Sequence, residues 1–433
     1  MRRIILQAKQ HIHPFNEPAR DLRLQNKPLW LWQRDLLAPY TNEEREYVSW
    51  QAAQKFESRE EEKVESIVHR DNLYFNDLLV EEFIRRGQAG GRPVRLAFRK
   101  DDPAIAAHVY PLTHSFFQQG DLLLADMWYL PGGLSQSVAA VPLVVDTEAL
   151  ERGYYHIPPY MATEFGDLIY QLPRKAFMII ESWVHVFIAD ILFGVFATGV
   201  NEENHINQSW RYKLKILASA LLEQRSVLSS SKMVQIGRNS NIDPTAIIHG
   251  PTIIGNNVTI GAGSVIDNCI IGDNVTVSQG CQLMLSVVSD GCFLPFRAAL
   301  FMTTMMENSM VAQNTCLQLC VVGRDTFIGA GCTFTDFNLL PAPLKAMIGH
   351  HLHETNFLVL GGCVGHHCRI GSGMVVYPAR TIESDVVLVA SEHRRVIMKN
   401  VSYEDTDHRH YADRYAYPRQ YPRQKAKSGA KDV

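Results

Sequence analysis

The chain has 433 residues, 46% apolar and 20% charged, with a formal charge of −3. That length predicts two or three structural units. The composition excludes disorder over most of the chain and excludes collagen-like and disulfide-scaffold classes. No global basic field invites nucleic acid, so none is expected as a partner. All eight cysteines lie between Cys269 and Cys368 without a CxxC pair. This argues against a zinc knuckle and for reduced, buried or wall-lining thiols in a cytoplasmic protein. The apolar run Ile4-Ile5-Leu6 is too short for a secretory leader.

Residues 1–175 read as a mixed α/β domain. Strands are expected over 2–6, 65–68 and 94–98, and helices over 29–37 and 77–86. The charged stretch 44–63 reads as a helix with one solvated face. Such alternation suggests an α/β layer fold.

Residues 176–232 form a helical linker. The segment 176–200 is very apolar, broken chiefly by Glu181, His185 and Asp190. Its length raises a membrane question, against which Asp190 argues for any simple span. Two readings stand: a helix buried between domains, and an interfacial helix making peripheral membrane contact through 179–200. A second helix is expected over 209–228, with Arg211, Lys213, Lys215 and Arg225 facing out.

From Ile236 an aliphatic residue returns every six positions: Ile242, Ile248, Ile254, Ile260 and Ile266. After a five-residue step come Ile271, Val277 and Leu283. Later series are Val322, Ile328 and Phe334, then Val364, Ile370, Val376, Ile382 and Leu388. Glycine commonly follows, as at Gly237, Gly255, Gly261, Gly329 and Gly371. A six-residue rung makes one flat side of a triangular prism, with aliphatic side chains stacked inside and glycine, asparagine or aspartate near the corners. Each coil buries its core only against its neighbours. A β-sandwich would alternate with period two and turn every 8–12 residues. The prism spans 233–390. Residues 284–321 lose the glycines and read as a degenerate wall. Residues 335–347 leave the register as a loop protruding from one corner. Residues 391–433 are a Tyr-, Arg- and Lys-rich tail, partly disordered.

The segment Ile328-Gly329-Ala330-Gly331-Cys332-Thr333-Phe334-Thr335-Asp336-Phe337-Asn338 resembles the GAG segment and following loop of the bifunctional UDP-N-acetylglucosamine pyrophosphorylase/glucosamine-1-phosphate acetyltransferase family. Ile348-Gly349 resembles that family's return to the wall, and Ile370-Gly371-Ser372-Gly373 its stretch bordering coenzyme A. Ser66 to Phe75 resembles the family's strand ending in a metal-binding Gly-Asp-Asn, and Leu24 to Leu29 its later "KPL" segment.

The resemblance implies a nucleotidyltransferase-like α/β domain, a helical linker and a left-handed parallel β-helix that forms a homotrimer. It implies acyl-CoA at Gly371, Ser372 and Gly373 in an intersubunit cleft. A sugar phosphate or nucleotide sugar would meet Asp336, Phe337, Asn338 and Lys345, and Asp71 would hold Mg²⁺. Three departures accompany it. Gln313 stands at the family's catalytic His, and an amide has no useful basicity. Cys316 replaces a tyrosine. The loop Gln7 to His13 has no glycine with which to cradle phosphate.

His350, His351, His353, His366 and His367 are candidates for the missing base. A trimer-interface zinc site and plain corner residues are the alternative readings. The expected function is a divergent group transferase of the nucleotidyltransferase–hexapeptide acyltransferase type. The alternative is a catalytically impaired trimeric scaffold or sugar-phosphate-binding regulatory protein.

Overall fold

The computed structural model describes residues 1–58, 63–135, 139–155, 167–339, 343–348, 351–411 and 417–424. The N-terminal domain is built on one mixed sheet. Its main strands are β1 (Arg2–Leu6), β2 (Glu43–Tyr47), β3 (Ser66–Arg70), β4 (Val94–Arg99), β5 (Leu122–Leu130) and β6 (Val141–Val144), in the order β6-β4-β5-β3-β1-β2, and Phe117–Gln119 pairs with β5 as a seventh. β1 runs parallel to β2 and β3, whereas β5 is antiparallel to both β3 and β4. Central β1 is buried throughout, as a strand covered on both faces must be. Helices α1 (Leu29–Leu37), α2 (Trp50–Glu57) and α3 (Asp77–Gly90) pack around the sheet. Asn76 accepts the Leu79 N–H at the start of α3, and Gly91 ends that helix at φ +58°.

The charged stretch expected as one helix divides. Glu43–Tyr47 is an edge strand, and only Trp50–Glu57 is helical, capped by Ser49. Register is the reason. Glu43 lies beside Arg2 and Glu44 beside Arg3 of β1, and both pairs close as ion pairs at 2.9 and 2.6 Å.

The strand Phe177–Ile179 pairs with Leu73–Phe75 and leads into α4 (Trp183–Gln208), π-helical over Ile188–Phe196. Every residue from Trp183 to Ala197 is buried. The expected membrane contact through 179–200 is therefore corrected: the segment has no free face, because the domain packs on one side and the β-helix on the other. α5 (Trp210–Glu223) follows, capped by Ser209 and ending at left-handed Gln224.

The C-terminal half is a three-walled prism of parallel eight-stranded sheets. Wall 1 begins at Val234–Ile236, wall 2 at Asn241–Ile242 and wall 3 at Ile247–His249. The stretch without glycines is regular wall. Its buried inward residues step by six, six and five: Ile271, Val277, Leu283, Val288, Leu294, Leu300, Met305, Val311, Leu317, Val322, Ile328 and Phe334. The short step is the corner between walls 3 and 1, where Asn268, Leu285, Met302 and Leu319 hold positive φ. A bulky residue there is strained. Leu285, Met302 and Leu319 are held because their side chains enter the same core as α4.

The excursion is longer than 335–347. The chain leaves wall 3 after Phe334 and rejoins wall 1 at Cys363, which pairs with Val321. Between them lies the antiparallel hairpin β7 (Lys345–Ile348) and β8 (His351–Glu354). Ile348 is thus in a hairpin strand, not at the return to the wall, because Ala346 and Ile348 bury into the inter-domain core. Gly349 and His350 lie outside the described residues. The described tail residues Tyr417 to Arg423 dock on the prism. Tyr417 stacks on His367 with ring centroids 4.5 Å apart, and Arg419 and Arg423 reach the buried Glu383 carboxylate.

Candidate functional site

The prism's walls differ in what covers them. On wall 1 the outward Val287, Thr304, Val321 and Cys363 are buried beneath the linker and N-terminal domain. The Thr304 hydroxyl donates to Asp190 Oδ2 at 2.6 Å, and the Gln25 N–H and side-chain amide donate to Oδ1 at 2.5 and 2.9 Å. One carboxylate thus ties the N-terminal loop, α4 and wall 1 together. Burial pushes the Asp190 carboxyl up to about 6, against the pull of these bonds.

The corner between walls 2 and 3 is open. Gly263, Gly331 and Gly373 stand there at φ +65°, +67° and +70°, and a Cβ at any of them would meet nothing within 4 Å. Ser372 beside them is exposed. Gly371 is glycine for another reason: a Cβ would lie 3.0 Å from the backbone of Leu388 and Ala390 in the next coil. Bare backbone at Gly331 and Gly373 beside the exposed Ser372 leaves room at this corner for the long flexible arm of an acyl carrier.

The candidate histidines fall into two groups. His351 and His353 stand on β8, and the His353 ring lies 5.2 Å from that of His114. Burial, then the neighbouring His114 and His351, lowers the His353 pKa and favours a neutral imidazole. The His114 N–H donates to Glu181 Oε2 at 2.7 Å, and Ser115 also bonds that carboxylate. Behind them His185 is fully buried, its Nδ1 accepting the Glu181 N–H at 3.0 Å.

His366 and His367 are elsewhere, facing the N-terminal loop and the tail. The buried His366 accepts the Arg324 N–H on Nδ1 at 2.9 Å and holds Glu17 Oε1 at 3.0 Å on Nε2. Burial raises Glu17, but His366 and Arg324 together bring its carboxyl below the usual range. With both nitrogens engaged and no exposure, His366 is corrected from candidate base to a brace between domain and prism. His367 sits at φ +53° in the corner column of Asn257, Asn274, Asn308, Asp325 and Asp385. Its Nδ1 meets Asp385 at 2.9 Å, its Nε2 meets Gln420 at 3.3 Å, and Tyr417 covers its ring. It too is a corner residue under the tail. Among the described residues no group of three or more His, Cys, Asp or Glu side chains is arranged to hold a metal.

Asp336, Phe337 and Asn338 form the root of the excursion. The Leu360 N–H donates to the Asp336 carbonyl at 2.8 Å, Phe337 bridges Val359, and burial raises the Asp336 carboxyl. Lys345 is exposed at the start of β7 and pairs with Glu354 at 3.5 Å.

Asp71 follows β3 in the N-terminal sheet. Its Oδ1 accepts the Ala8 N–H at 2.7 Å, and the Arg20 guanidinium lies 3.4 Å from Oδ2 while also pairing with Glu46. Arg70 turns away to Asp126. A cation standing at the carboxylate does not fit Mg²⁺, and that expectation is corrected. Sequence reading also missed His114. No local spacing marks it, since only the fold sets it against the hairpin.

The bacterial transferase hexapeptide (six repeats) profile matches residues 233–268. The C-terminal prism is a left-handed β-helix whose first coils carry the hexapeptide repeat. No curated protein matches the chain. Two solved structures are similar to it. A UDP-N-acetylglucosamine O-acyltransferase from Moraxella catarrhalis RH4 is 13% identical, with 36% of this chain and 70% of that chain covered and a TM-score of 0.24. The acetyltransferase domain of PglB from Neisseria gonorrhoeae FA1090 is 16% identical, with 42% of this chain and 58% of that domain covered and a TM-score of 0.16. The profile match places hexapeptide repeats in the first two coils, and the 6-6-5 packing carries the same β-helix onward to Phe334.

Proposed function

We propose that this protein is an acyl-CoA-dependent acyltransferase of the hexapeptide type, acting in the cytoplasm as a homotrimer on a sugar phosphate or nucleotide sugar. The observation that carries this reading is the open glycine corner at Gly331 and Gly373, set on a hexapeptide-repeat β-helix. Support for self-association comes from wall 2, where Phe293, Met310 and Phe327 stack in register on the outer face and Phe293 and Phe296 are exposed. Uncovered apolar ladders of this kind suit an interface between copies.

Bound acyl-CoA would supply an activated acyl carbon. The chain's part is to hold the acceptor and take its proton. Asp336, Phe337, Asn338 and Lys345 at the excursion are the proposed acceptor contacts. His353, with His351 beside it, is the proposed base. Its imidazole takes the proton from an amine or hydroxyl as that atom bonds to the acyl carbon and the carbon–sulfur bond breaks. A neutral imidazole at neutral pH is the form the reaction needs.

A second reading is favoured by Asp71, closed by Ala8 and Arg20. On it the N-terminal domain binds a sugar phosphate without nucleotidyl transfer and serves as a scaffold or regulatory unit. Thermal shift with acetyl-CoA, alongside transfer assays on sugar-phosphate amines and alcohols, tests the first reading. Expected are a raised Tm and turnover that His353→Gln lowers roughly 100-fold without removing the Tm shift. Neither shift nor turnover would defeat it.

A further inference from the structure

We propose that α5 is a docking surface for an anionic lipid membrane. The helix already has a core-facing stripe: Ile216 and Ala220 are buried, and Ile216 shares a core with Met233, Val234 and Ile248 of the first coil. An ordinary surface helix leaves its other side polar. Here a second apolar stripe faces away from the protein. Trp210, Leu214, Leu217 and Leu221 follow at steps of four, three and four, on one face by helical geometry. They are 68%, 52%, 43% and 71% exposed, and Leu222 at the edge of the stripe is 86% exposed.

The charges flanking this stripe decide what covers it. Arg211, Lys213 and Lys215 are exposed on the same helix. Residues 209–232 hold five Lys and Arg against one carboxylate, Glu223, in a chain whose net charge is −3. Glu223 is itself engaged, accepting the Ser231 N–H at 2.8 Å. A basic rim around an apolar stripe complements acidic headgroups above acyl chains. The same rim on a second copy of α5 would meet like charge. Trp210, with the Arg211 guanidinium 5.6 Å from its ring, supplies the amphipathic aromatic that settles at headgroup depth. Composition alone points to the wrong helix. α4 is the more apolar and long enough to cross a membrane, yet its most apolar window is 83% buried.

The test is flotation of the full chain with vesicles of phosphatidylglycerol and phosphatidylcholine, against vesicles of phosphatidylcholine alone. Expected is at least tenfold greater binding to the anionic vesicles, reversed by 0.5 M salt, on the order expected for screened headgroup contacts. Leu214→Glu with Leu217→Glu should lower binding at least tenfold. Arg211→Gln with Lys213→Gln and Lys215→Gln, which leaves the apolar stripe intact, should do the same. All these positions are exposed, and an unchanged thermal melt confirms folding. Equal binding to both vesicle types, or none to either, overturns the proposal. So does a loss of oligomer mass in the leucine variant with vesicle binding unchanged, since the stripe would then be covered by a second copy.

Discussion

Wall 1 and wall 2 of the β-helix share the same coils, the same inward ladder and the same six-residue step, yet their outer faces have opposite fates. On wall 1 the outward Val287, Thr304, Val321 and Cys363 are sealed under the linker and N-terminal domain. On wall 2 the equivalent ladder leaves Phe293 exposed and Met310 and Phe327 half-buried. The contrast separates what the chain uses to hold itself together from what it leaves for others. A prism with one wall occupied by its own linker has two walls and one glycine corner to offer a ligand or a second copy.

The sharpest way to break this contrast is to place a charge on each kind of wall. Val321→Asp would bury an unpaired carboxylate, and a loss of about 4 kcal/mol or more is expected in urea unfolding. Thr333→Asp, outward and exposed on wall 3, should stay within about 0.5 kcal/mol. Comparable losses at the two sites would mean wall 1 is not a sealed interface.

Asp190 tests the seal itself. Asp190→Ala leaves the Thr304 hydroxyl and the Gln25 donors buried without their acceptor, and about 2–4 kcal/mol is expected. Its titration has a defined sign. The carboxyl is raised to about 6 in the folded chain, so the folded state binds the proton more tightly than the unfolded one. Its contribution to stability is therefore greatest at low pH and declines as pH rises from about 4 to about 6. Asp190→Asn should flatten the stability profile across that window in denaturant titrations at stepped pH.

At the hairpin, His353→Gln should lower kcat/KM for acyl transfer roughly 100-fold, the usual worth of a general base. In the unaltered chain the acid limb of the pH–rate profile should fall below 6.5, because His353 is held below that value. A limb at or above 6.5 would move the base elsewhere. The mildest expected effect is at wall 2. Phe293→Glu should leave the melt unchanged within about 0.5 kcal/mol and reduce the mass seen in analytical ultracentrifugation.

Much of this architecture is readable from residue spacing. The inward ladder appears wherever aliphatics recur at six, and α1 appears at its observed bounds, Leu29–Leu37. The stretch 284–321 reads as degenerate only by its missing glycines. The marker that persists is the five-residue step, from Leu283 to Val288, Leu300 to Met305 and Leu317 to Val322. Its corners carry Leu285, Met302 and Leu319 instead of glycine, because they face a core rather than water. The site was harder to read. His366 and His353 are both histidines near the excursion, and nothing local says that one will meet Glu17 and Arg324 while the other meets His114. Those partners come from the other half of the chain, as does Arg23, which pairs with Asp290 at 2.8 Å. Pairings made across domains leave no period in either segment. The edge strand Glu43–Tyr47 was missed likewise, because its charges are answered by β1 and not by a helical neighbour.

Residues His13 to Asn16 bind the last coils of the prism. His13 Nε2 meets the Thr381 hydroxyl at 3.0 Å, Asn16 donates to Glu383 at 2.9 Å, and Ser384 N–H donates to the Pro14 carbonyl at 3.1 Å. A ribosome delivers His13 and Asn16 368 and 367 positions ahead of these partners. The earlier segment must stay open until those coils emerge. The nascent N-terminal domain therefore travels with an unfilled socket, and the closing coil and tail are what complete it.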